Sequence, residues 1–413
     1  MSNPPSPEQR AARLKRRHAA EFRFRAMGLG AVLLSLAVLA LLLVSMTTSA
    51  FEGFRRSELR FSVDLSGNVL QVQAGQLTGP DAMKALESAG LPDVVRFSAE
   101  RELGAKAADG LDSNAWREVG KRLISDPALI GSRISVSLPV VQALSDAQRG
   151  EARPEDNAFA HQLVRSGKLV RAFDPGFFSR SDATSPQDVG IWGALKGSLL
   201  TMGVTFVLAF PIGMLAAVYL EAFAPRNRWT DFIEVSINNL AAVPSIIFGL
   251  LGLSVFLAIF PYYRSAPLIG GMTLALMTLP VIVISGRNAV KAVPPSIRDA
   301  ALAVGASPVQ AVFHHVLPMA LPGILTGTII GMARALGETA PLLMVGMRAF
   351  IASPPSGPMA PATVLPVQIF LWSDEINHGF IERTSAAIIV LLGFLLCMNG
   401  LAIFLRNKFE TRW

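Results

Sequence analysis

Residues 296–342 read SIRDAALAVGASPVQAVFHHVLPMALPGILTGTIIGMARALGETAPL, and the first half of this stretch has the pattern of a helix-turn-helix elbow. Ser296 is placed to cap the N-terminus of one short helix, and Ser307 is placed to cap a second. Gly305 separates the two helices, because glycine readily takes the backbone conformation of a helix end. The pattern predicts that Pro318 ends the elbow.

An apolar run of membrane-spanning length follows at 321–347, with two charged residues near its middle. Arg334 and Glu338 are four residues apart, which on a helix places them one turn apart on one face. A charge at the centre of a bilayer costs about 3 kcal/mol even on the lower scales, so the pair predicts a functional site. Arginine before glutamate is the weaker order for a helical ion pair. We therefore interpret both residues as lining a substrate pathway, the alternative being an ion pair that only fixes helix register.

Small and polar residues mark two further positions in the apolar half of the chain. Gly323, Gly327 and Gly331 recur every four residues, a stripe that lets a second helix approach closely in a membrane. Asn239 and Ser245 flank a proline at the start of another apolar run. Polar groups at such a break either line a pathway or satisfy the backbone of a packed kink, and both interpretations stay open.

Composition indicates a membrane protein, since 51% of the residues are hydrophobic and only 16% are charged. The net charge of +7 does not indicate nucleic-acid binding, because the cations cluster beside apolar segments, as expected of cytoplasmic loops. Cys397 is the only cysteine, so no intramolecular disulfide can form.

The chain divides into four parts. Residues 1–26 form a basic cytoplasmic arm, and residues 27–50 form a first membrane helix. This helix is too long for an ordinary signal peptide, so we interpret it as an uncleaved anchor, with the signal peptide as the alternative. We predict that residues 51–189 form an external, periplasmic domain, because charged residues are regularly spaced along them and no apolar run is long enough to span a membrane. Residues 190–413 form the main transmembrane domain.

The external domain has mixed α/β patterning. Apolar residues alternate with polar ones over 59–65, which predicts a half-buried strand, and residues 66–72 predict a turn and a possible partner strand. Residues 81–88 and 113–124 predict amphipathic helices.

Basic loops alternate with external loops so that six spans result, with both termini in the cytoplasm. The predicted spans are about 27–50, 192–223, 240–260, 267–284, 321–347 and 386–405.

Three stretches resemble a known family. The order of alanine, glycine and leucine-proline in 296–318 resembles the EAA loop of ABC-importer permeases, and residues 323–343 (GILTGTIIGMARALGETAPLL) are similar to phosphate permeases of the PstA family. The resemblance recurs at 190–256, where residues 209–256 are similar to sequence blocks of the same family. The resemblance implies an all-α polytopic membrane protein with six transmembrane helices of the ABC type I importer permease fold. The mixed α/β external domain would be inserted between helices 1 and 2.

The resemblance also implies that the EAA-type loop at 296–318 docks into a groove of an ATPase subunit. The loop's usual glutamate is an aspartate here. The residues implied to take part in this coupling are Ile297, Asp299, Ala300, Ala301, Gly305, Leu317 and Pro318.

The chain contains no P-loop and no pattern of catalytic nucleophile and base, so it is predicted not to be an enzyme and to hold no cofactor. His314 and His315 lack further ligands at metal-binding spacing, so no metal site is predicted. The resemblance implies a bacterial inner-membrane protein in contact with membrane lipid. Its implied partners are a second, homologous permease subunit, two copies of a cytoplasmic ATPase that binds ATP and Mg, and a periplasmic phosphate-binding protein.

Three alternatives remain open. The cargo could be another oxyanion such as sulfate, molybdate or phosphonate. The chain could instead be an ATP-independent membrane receptor with residues 51–189 as its sensor. The transmembrane unit could also pair two copies of this chain.

Overall fold

The computed structural model describes residues 7–66, 70, 72, 77, 79, 81–348 and 350–409. Most of these residues are helical, and the described strands form one small antiparallel sheet. The sequence prediction of a mainly helical membrane protein with a mixed α/β insertion is confirmed at this level.

The sheet has three strands and lies in the region inserted between the first two long apolar helices, residues 55–173, which is called the inserted region below. Its central strand is β1 (Arg55–Asp64), flanked by β2 (Arg133–Pro139) and β3 (Leu169–Phe173). Leu59 and Phe61 are buried on one side of β1, and Leu59 is paired with a leucine on each neighbouring strand. The alternating pattern therefore predicted this strand correctly, but both of its partners come from much later in the chain.

Helices cover the sheet and complete a hydrophobic core. The helices at 82–88 and 116–125 confirm the two predicted amphipathic helices, and the second of them starts about three residues later than predicted. The predicted turn and partner strand at 66–72 fall largely outside the described residues. The helices are α2 (Ala82–Ser88), α3 (Leu91–Leu103), α4 (Ala105–Ala108), α5 (Trp116–Ser125), α6 (Gln142–Arg149) and α7 (Pro154–Arg165).

The remaining helices lie outside the inserted region. In order they are α1 (Pro7–Gly53), α8 (Trp192–Val218), α9 (Arg228–Ala241), α10 (Ser245–Leu251), α11 (Leu257–Ile259), α12 (Pro267–Lys291), α13 (Pro295–Ala303), α14 (Pro308–Ala311), α15 (Leu317–Leu336), α16 (Ala340–Met344), α17 (Leu365–Ser373) and α18 (His378–Phe409). Single π-helical segments at 219–223, 252–256 and 312–316 continue α8, α10 and α14.

Five helical segments of the described chain are long and apolar enough to cross a membrane. A sixth span results if α9 and the helix at 245–259 count as one, but these meet at an angle of 104°. The prediction of a single span at 240–260 therefore has to be corrected. Pro244 explains the break, because it lacks an N–H and keeps the residue before it out of helical geometry.

Helix α12 lies at the centre of the bundle and packs against both α8 and α15. Gly327 of α15 comes so close to α12 that a β-carbon there would lie 1.7 Å from Ser285 Oγ. Gly323 faces Ala289 in the same way at 2.6 Å, whereas Gly331 has no such neighbour within 3.4 Å. Glycine at 327 is therefore what allows the two helix backbones to approach.

Candidate functional site

The first helix of the elbow starts earlier than predicted. Helix α13 begins at Pro295, and its N-cap residue is Pro294, with no side-chain hydrogen bond to the helix end. The prediction that Ser296 caps this helix is wrong, because a proline in the first turn has no N–H that needs a partner and already has a helical φ. Gly305 ends the helix region at a φ of +92°, in the left-handed conformation that glycine favours.

The second helix of the elbow starts as predicted. Ser307 Oγ accepts a hydrogen bond from the N–H of Gln310 at 3.2 Å, and Gln310 Oε1 accepts one from the N–H of Ser307 at 2.9 Å. These two bonds form a complete capping box. The helix does not end at Pro318, however, but continues through the π-helical segment 312–316 into α15. The π-turn directly before the proline is a local change in bonding of the kind that accommodates such interruptions.

Exposure separates the elbow residues into two groups. Val304 is 86% exposed, whereas Ala301 is only 6% exposed and cannot reach a partner surface. The other predicted coupling residues are exposed (Asp299, Ala300, Gly305, Pro318) or half-buried (Ile297, Leu317). Three large apolar side chains of the elbow that are not among the predicted coupling residues are also exposed: Leu302, Val309 and Phe313.

The predicted charged pair lies at a break between two helices. Helix α15 ends at Leu336, and Glu338 sits in the non-helical link before α16. The prediction that Arg334 and Glu338 lie on one face of a single helix, near the middle of a span, is therefore wrong. The last turn tightens, with the N–H of Glu338 bonded to Ala335 O, and Pro341 cannot donate to continue the α-helical ladder.

The pair itself is still formed across this break. Arg334 Nε lies 3.5 Å from Glu338 Oε1, and the side chains are 48% and 18% exposed. A half-exposed guanidinium held by one long contact retains donors for an oxyanion, which it can bind in a bidentate geometry.

Asn239 and Ser245 lie on either side of the sharp bend between α9 and α10. Asn239 is exposed and Ser245 is half-buried. Helix α10 packs against α16, since a β-carbon on Gly249 would lie 2.6 Å from Pro341 Cα. The bend between α9 and α10 and the break between α15 and α16, called the charged break below, therefore both lie next to α16. They are about 90 residues apart in sequence.

Sequence reasoning missed an ion cluster near the elbow. Arg287 of α12 contacts Glu234 of α9 at 2.9 Å and Glu221 at 3.3 Å. It thereby ties α9 and the end of α8 to the helix that precedes the elbow. Its partners lie 53 and 66 residues away, and no local pattern connects them.

A second missed cluster, called the ionic junction below, lies where the inserted region meets α1 and α18. It consists of Arg56, Glu58, Asp174, Arg180 and Arg383. Asp174 is fully buried and Arg383 is 3% exposed. They come from three segments that are distant in sequence, at 56–58, 174–180 and 383, and no motif in the sequence predicts that these segments meet.

Burial raises the pKa of two carboxyl groups near the ionic junction. Burial raises the pKa of Asp182, although a hydrogen bond from Trp372 Nε1 opposes the change. Burial also raises the pKa of Asp188, and the nearby carboxylate of Asp112 adds to the effect. In the exposed part of the inserted region, by contrast, a hydrogen bond from Lys168 lowers the pKa of Glu102.

A groove of about 330 Å³ between α8, α15 and α18 is almost entirely apolar. Its lining includes Met202, Phe206, Met332 and Leu395, with Asn399 among its few polar residues. Such a lining cannot compensate the lost hydration of a charged anion. Within the described ranges, no group of three or more His, Cys, Asp or Glu side chains could hold a metal ion.

Two family profiles match the chain. The profile described as "Binding-protein-dependent transport system inner membrane component" matches residues 209–411. Another, described as "Domain of unknown function (DUF3333)", matches residues 11–157. The first match covers the elbow and the charged break, and the second covers α1 and most of the inserted region.

Individual relatives and solved structures are also similar. "Phosphate transport system permease protein PstA" of Haemophilus influenzae is 31% identical over 248 residues, 59% of this chain and 84% of that protein. "Phosphate transport system permease protein PstA 1" of Mycobacterium tuberculosis is 36% identical over 156 residues, 38% of this chain, and the match spans only about half (51%) of that relative. A chain of the MetNI methionine ABC transporter in an inward facing conformation is 20% identical, with 54% of this chain and 98% of that chain covered and a TM-score of 0.44.

Proposed function

Because this chain belongs to the family of binding-protein-dependent transport system inner membrane components, we propose that it is the permease subunit of an ATP-driven importer of inorganic phosphate. A member of this family is a multi-pass inner-membrane permease component and is not itself catalytic. The observation that carries the phosphate assignment is the similarity to a phosphate permease of Haemophilus influenzae along 84% of that protein.

The proposed complex pairs this chain with a second, homologous permease and two copies of an ABC ATPase that binds ATP and Mg. A periplasmic phosphate-binding protein delivers the cargo. The membrane domain, 190–413, has the type I importer fold, and the bent pair α9 and α10 counts as one of six spans. The N-terminal arm 1–26, which precedes the anchor helix 27–50, and the C-terminus are cytoplasmic, and residues 51–189 are periplasmic.

Coupling takes place through the elbow. The exposed side chains of Leu302, Val304 and Val309 fit an apolar groove on the ATPase, as short helices with apolar anchors do. The helix from Pro308 to Leu336 is continuous and about 43 Å long, which supports transmission of a displacement at the elbow to the charged break.

Arg334 and Glu338 act at the far end of that helix in this proposal. The guanidinium gives a passing phosphate a transient site, while the carboxylate weakens binding so that the anion is released. Asn239 and Ser245 line the same pathway on the bent segment. A shift between two states of the α15–α16 break would then open and close the path.

The test is ATP-driven uptake of radiolabelled phosphate into vesicles that contain this chain with the proposed partners. Uptake that is competed by unlabelled phosphate, and not by sulfate, molybdate or phosphonate, is the expected result. Preferential competition by one of the other anions would assign that anion as the cargo instead. Uptake that persists without this chain would refute the permease role.

A variant of the elbow tests the coupling step. Val304→Asp introduces a charge into the proposed contact and should abolish stimulation of the ATPase while the chain still reaches the membrane. Phe97→Asp is the matched control, because Phe97 is 67% exposed on α3 of the inserted region. Equal ATPase stimulation in both variants would contradict coupling through the elbow.

A further inference from the structure

Arg383, at the start of α18, contacts three other segments of the chain at once. Its Nε donates to Pro186 O at 2.8 Å, and its Nη1 donates to Gly53 O at 2.7 Å. Its Nη2 donates to Asp174 Oδ2 at 3.1 Å. One buried guanidinium thus connects the end of α1, the end of β3 and the segment that leads to α8.

Asp174 extends this connection into the inserted region. The residue follows β3 and is fully buried, and its carboxylate also accepts a hydrogen bond from Arg180 at 2.5 Å. Its Oδ1 lies 3.9 Å from Arg56 of β1, which in turn binds Glu118 of α5 at 2.7 Å. Charged contacts therefore run from α18 through the central strand to α5 of the inserted region.

The neighbouring residue of α18 makes a second set of contacts. Glu382 accepts hydrogen bonds from Arg171 of β3 at 3.0 Å and from Arg149 of α6 at 3.4 Å. The helices α1 and α18 also touch through their backbones, because a β-carbon on Gly53 would lie 2.0 Å from Glu382 O. Glu382 therefore contacts the inserted region directly, whereas Arg383 is connected to it through Asp174.

We propose that Arg383 is a positioning residue that fixes the inserted region, 55–173, on α1 and α18, so that these elements move as one body during transport. A planar guanidinium can satisfy three acceptors in fixed directions, which a lysine cannot do. Removing it would leave Asp174 buried without one of its two close cationic partners, which favours separation or hydration of the interface. The movement during transport rests on the proposed function, but the rigid connection does not.

Distance measurements between two spin labels test the connection in the full-length chain. One label is attached to the native Cys397, which is exposed on α18, and the other to an introduced cysteine at the exposed position Glu100 on α3. We expect one narrow distance distribution in the parent protein and a broadened one in Arg383→Gln. Arg383→Lys, which keeps the charge but not the fork of donors, should give an intermediate width.

The control is Arg96→Gln. Arg96 pairs with Asp109 at 2.9 Å within the inserted region, and both side chains are about two-thirds exposed. This variant should keep the narrow distribution. A distribution in Arg383→Gln that is as narrow as that of the parent would overturn the proposal. If Arg383→Gln does not fold, Arg383→Lys replaces it, and a distribution in that variant as narrow as that of the parent would overturn the proposal.

Phosphate uptake by the same variants tests the consequence for transport. A broadened distribution together with reduced uptake supports movement as one body, whereas a broadened distribution with normal uptake overturns that part. If the parent protein itself transports no phosphate, the proposed function fails while the distance measurement still decides whether the region is rigidly held.

Discussion

Two arginines at helix ends show how differently this chain uses the same side chain. Arg383 has a side chain that is 4% exposed, and all three of its guanidinium nitrogens donate to acceptors within 3.1 Å. Arg334 is 48% exposed and has one contact with a carboxylate at 3.5 Å. A buried and fully paired guanidinium has a structural role, whereas a half-exposed one with remaining donors is available to a ligand.

The same contrast holds for the surrounding regions. At the ionic junction, charges from several elements are buried together, which is tolerable only because each has a partner. At the charged break, a glycine and a proline interrupt the helix beside the pair, so the local backbone has few bonds that resist a change of shape. We infer that the junction resists motion and that the break permits it.

The largest expected effect is on stability at the junction. Arg383→Gln should reduce the free energy of unfolding by about 3 kcal/mol, because it removes one of the two close cationic partners of the buried Asp174 carboxylate. Thermal unfolding of the full-length protein in detergent measures this effect. Arg334→Gln, made in parallel, should change the free energy by no more than about 0.5 kcal/mol, as is usual for exposed positions. Equal losses of unfolding free energy in Arg383→Gln and Arg334→Gln would show that the two arginines do not differ in their contribution to stability.

The next effect is on transport at the charged break. Arg334→Ala should lower the rate of phosphate uptake about tenfold or more, since a hydrogen bond to a charged group contributes about 1.5–3 kcal/mol. Glu338→Gln should slow the release of phosphate from Arg334. The size of its effect on the uptake rate should therefore depend on the external phosphate concentration. Uptake is compared at matched membrane levels and matched ATPase activity.

The control for these transport variants is Arg226→Ala, which removes an exposed cation from the loop between α8 and α9. It should transport at the parental rate. Parental uptake in both Arg334→Ala and Glu338→Gln would make the pair a structural feature.

A smaller effect is expected at the elbow. Ser307→Ala removes the capping box and should destabilise the start of the long helix by about 1 kcal/mol. Hydrogen exchange of the amides of residues 309–311 should become faster. Ser296→Ala is the control and should leave exchange unchanged, because Ser296 lies inside the first turn of α13 and makes no cap. Faster exchange around α13 in the control would restore the original sequence prediction.

The smallest expected effect is on the pH dependence of stability in the inserted region. A hydrogen bond from Lys168 and another from the N–H of Ser62 lower the pKa of Glu102 in the folded protein. The ionised carboxylate therefore stabilises the fold above its unfolded pKa of about 4.3, and this contribution is lost as the pH falls through the lower folded value. Glu102→Gln should remove about 0.5 kcal/mol at pH 7 and should lessen the loss of stability below about pH 4.

Denaturant unfolding at several pH values measures this difference. Glu100→Gln, at an exposed position of the same helix, serves as the control. The same pH slope in the Glu102 and Glu100 variants would show that the contact with Lys168 does not contribute.

Local patterns in the sequence predicted a large part of this protein. Alternation identified the central strand, apolar length identified most spans, and a serine, a proline and a glutamine identified the capping box at 307–310. These features depend on residues within a few positions of one another, so the sequence contains all the information they need. The resemblance of the elbow and of residues 209–256 indicated the family for the same reason.

Tertiary structure decided the rest. The elbow runs without interruption into α15, the span predicted through Glu338 ends at Leu336, and α9 and α10 meet at a sharp bend. Above all, the ionic junction pairs Arg383 with Asp174, which lie 209 positions apart. No periodicity or spacing connects such residues, because a buried charge finds its partner through the packing of whole elements. The sequence could therefore predict the helices and the strand, but only the folded chain determines which charges are held and which remain free to act.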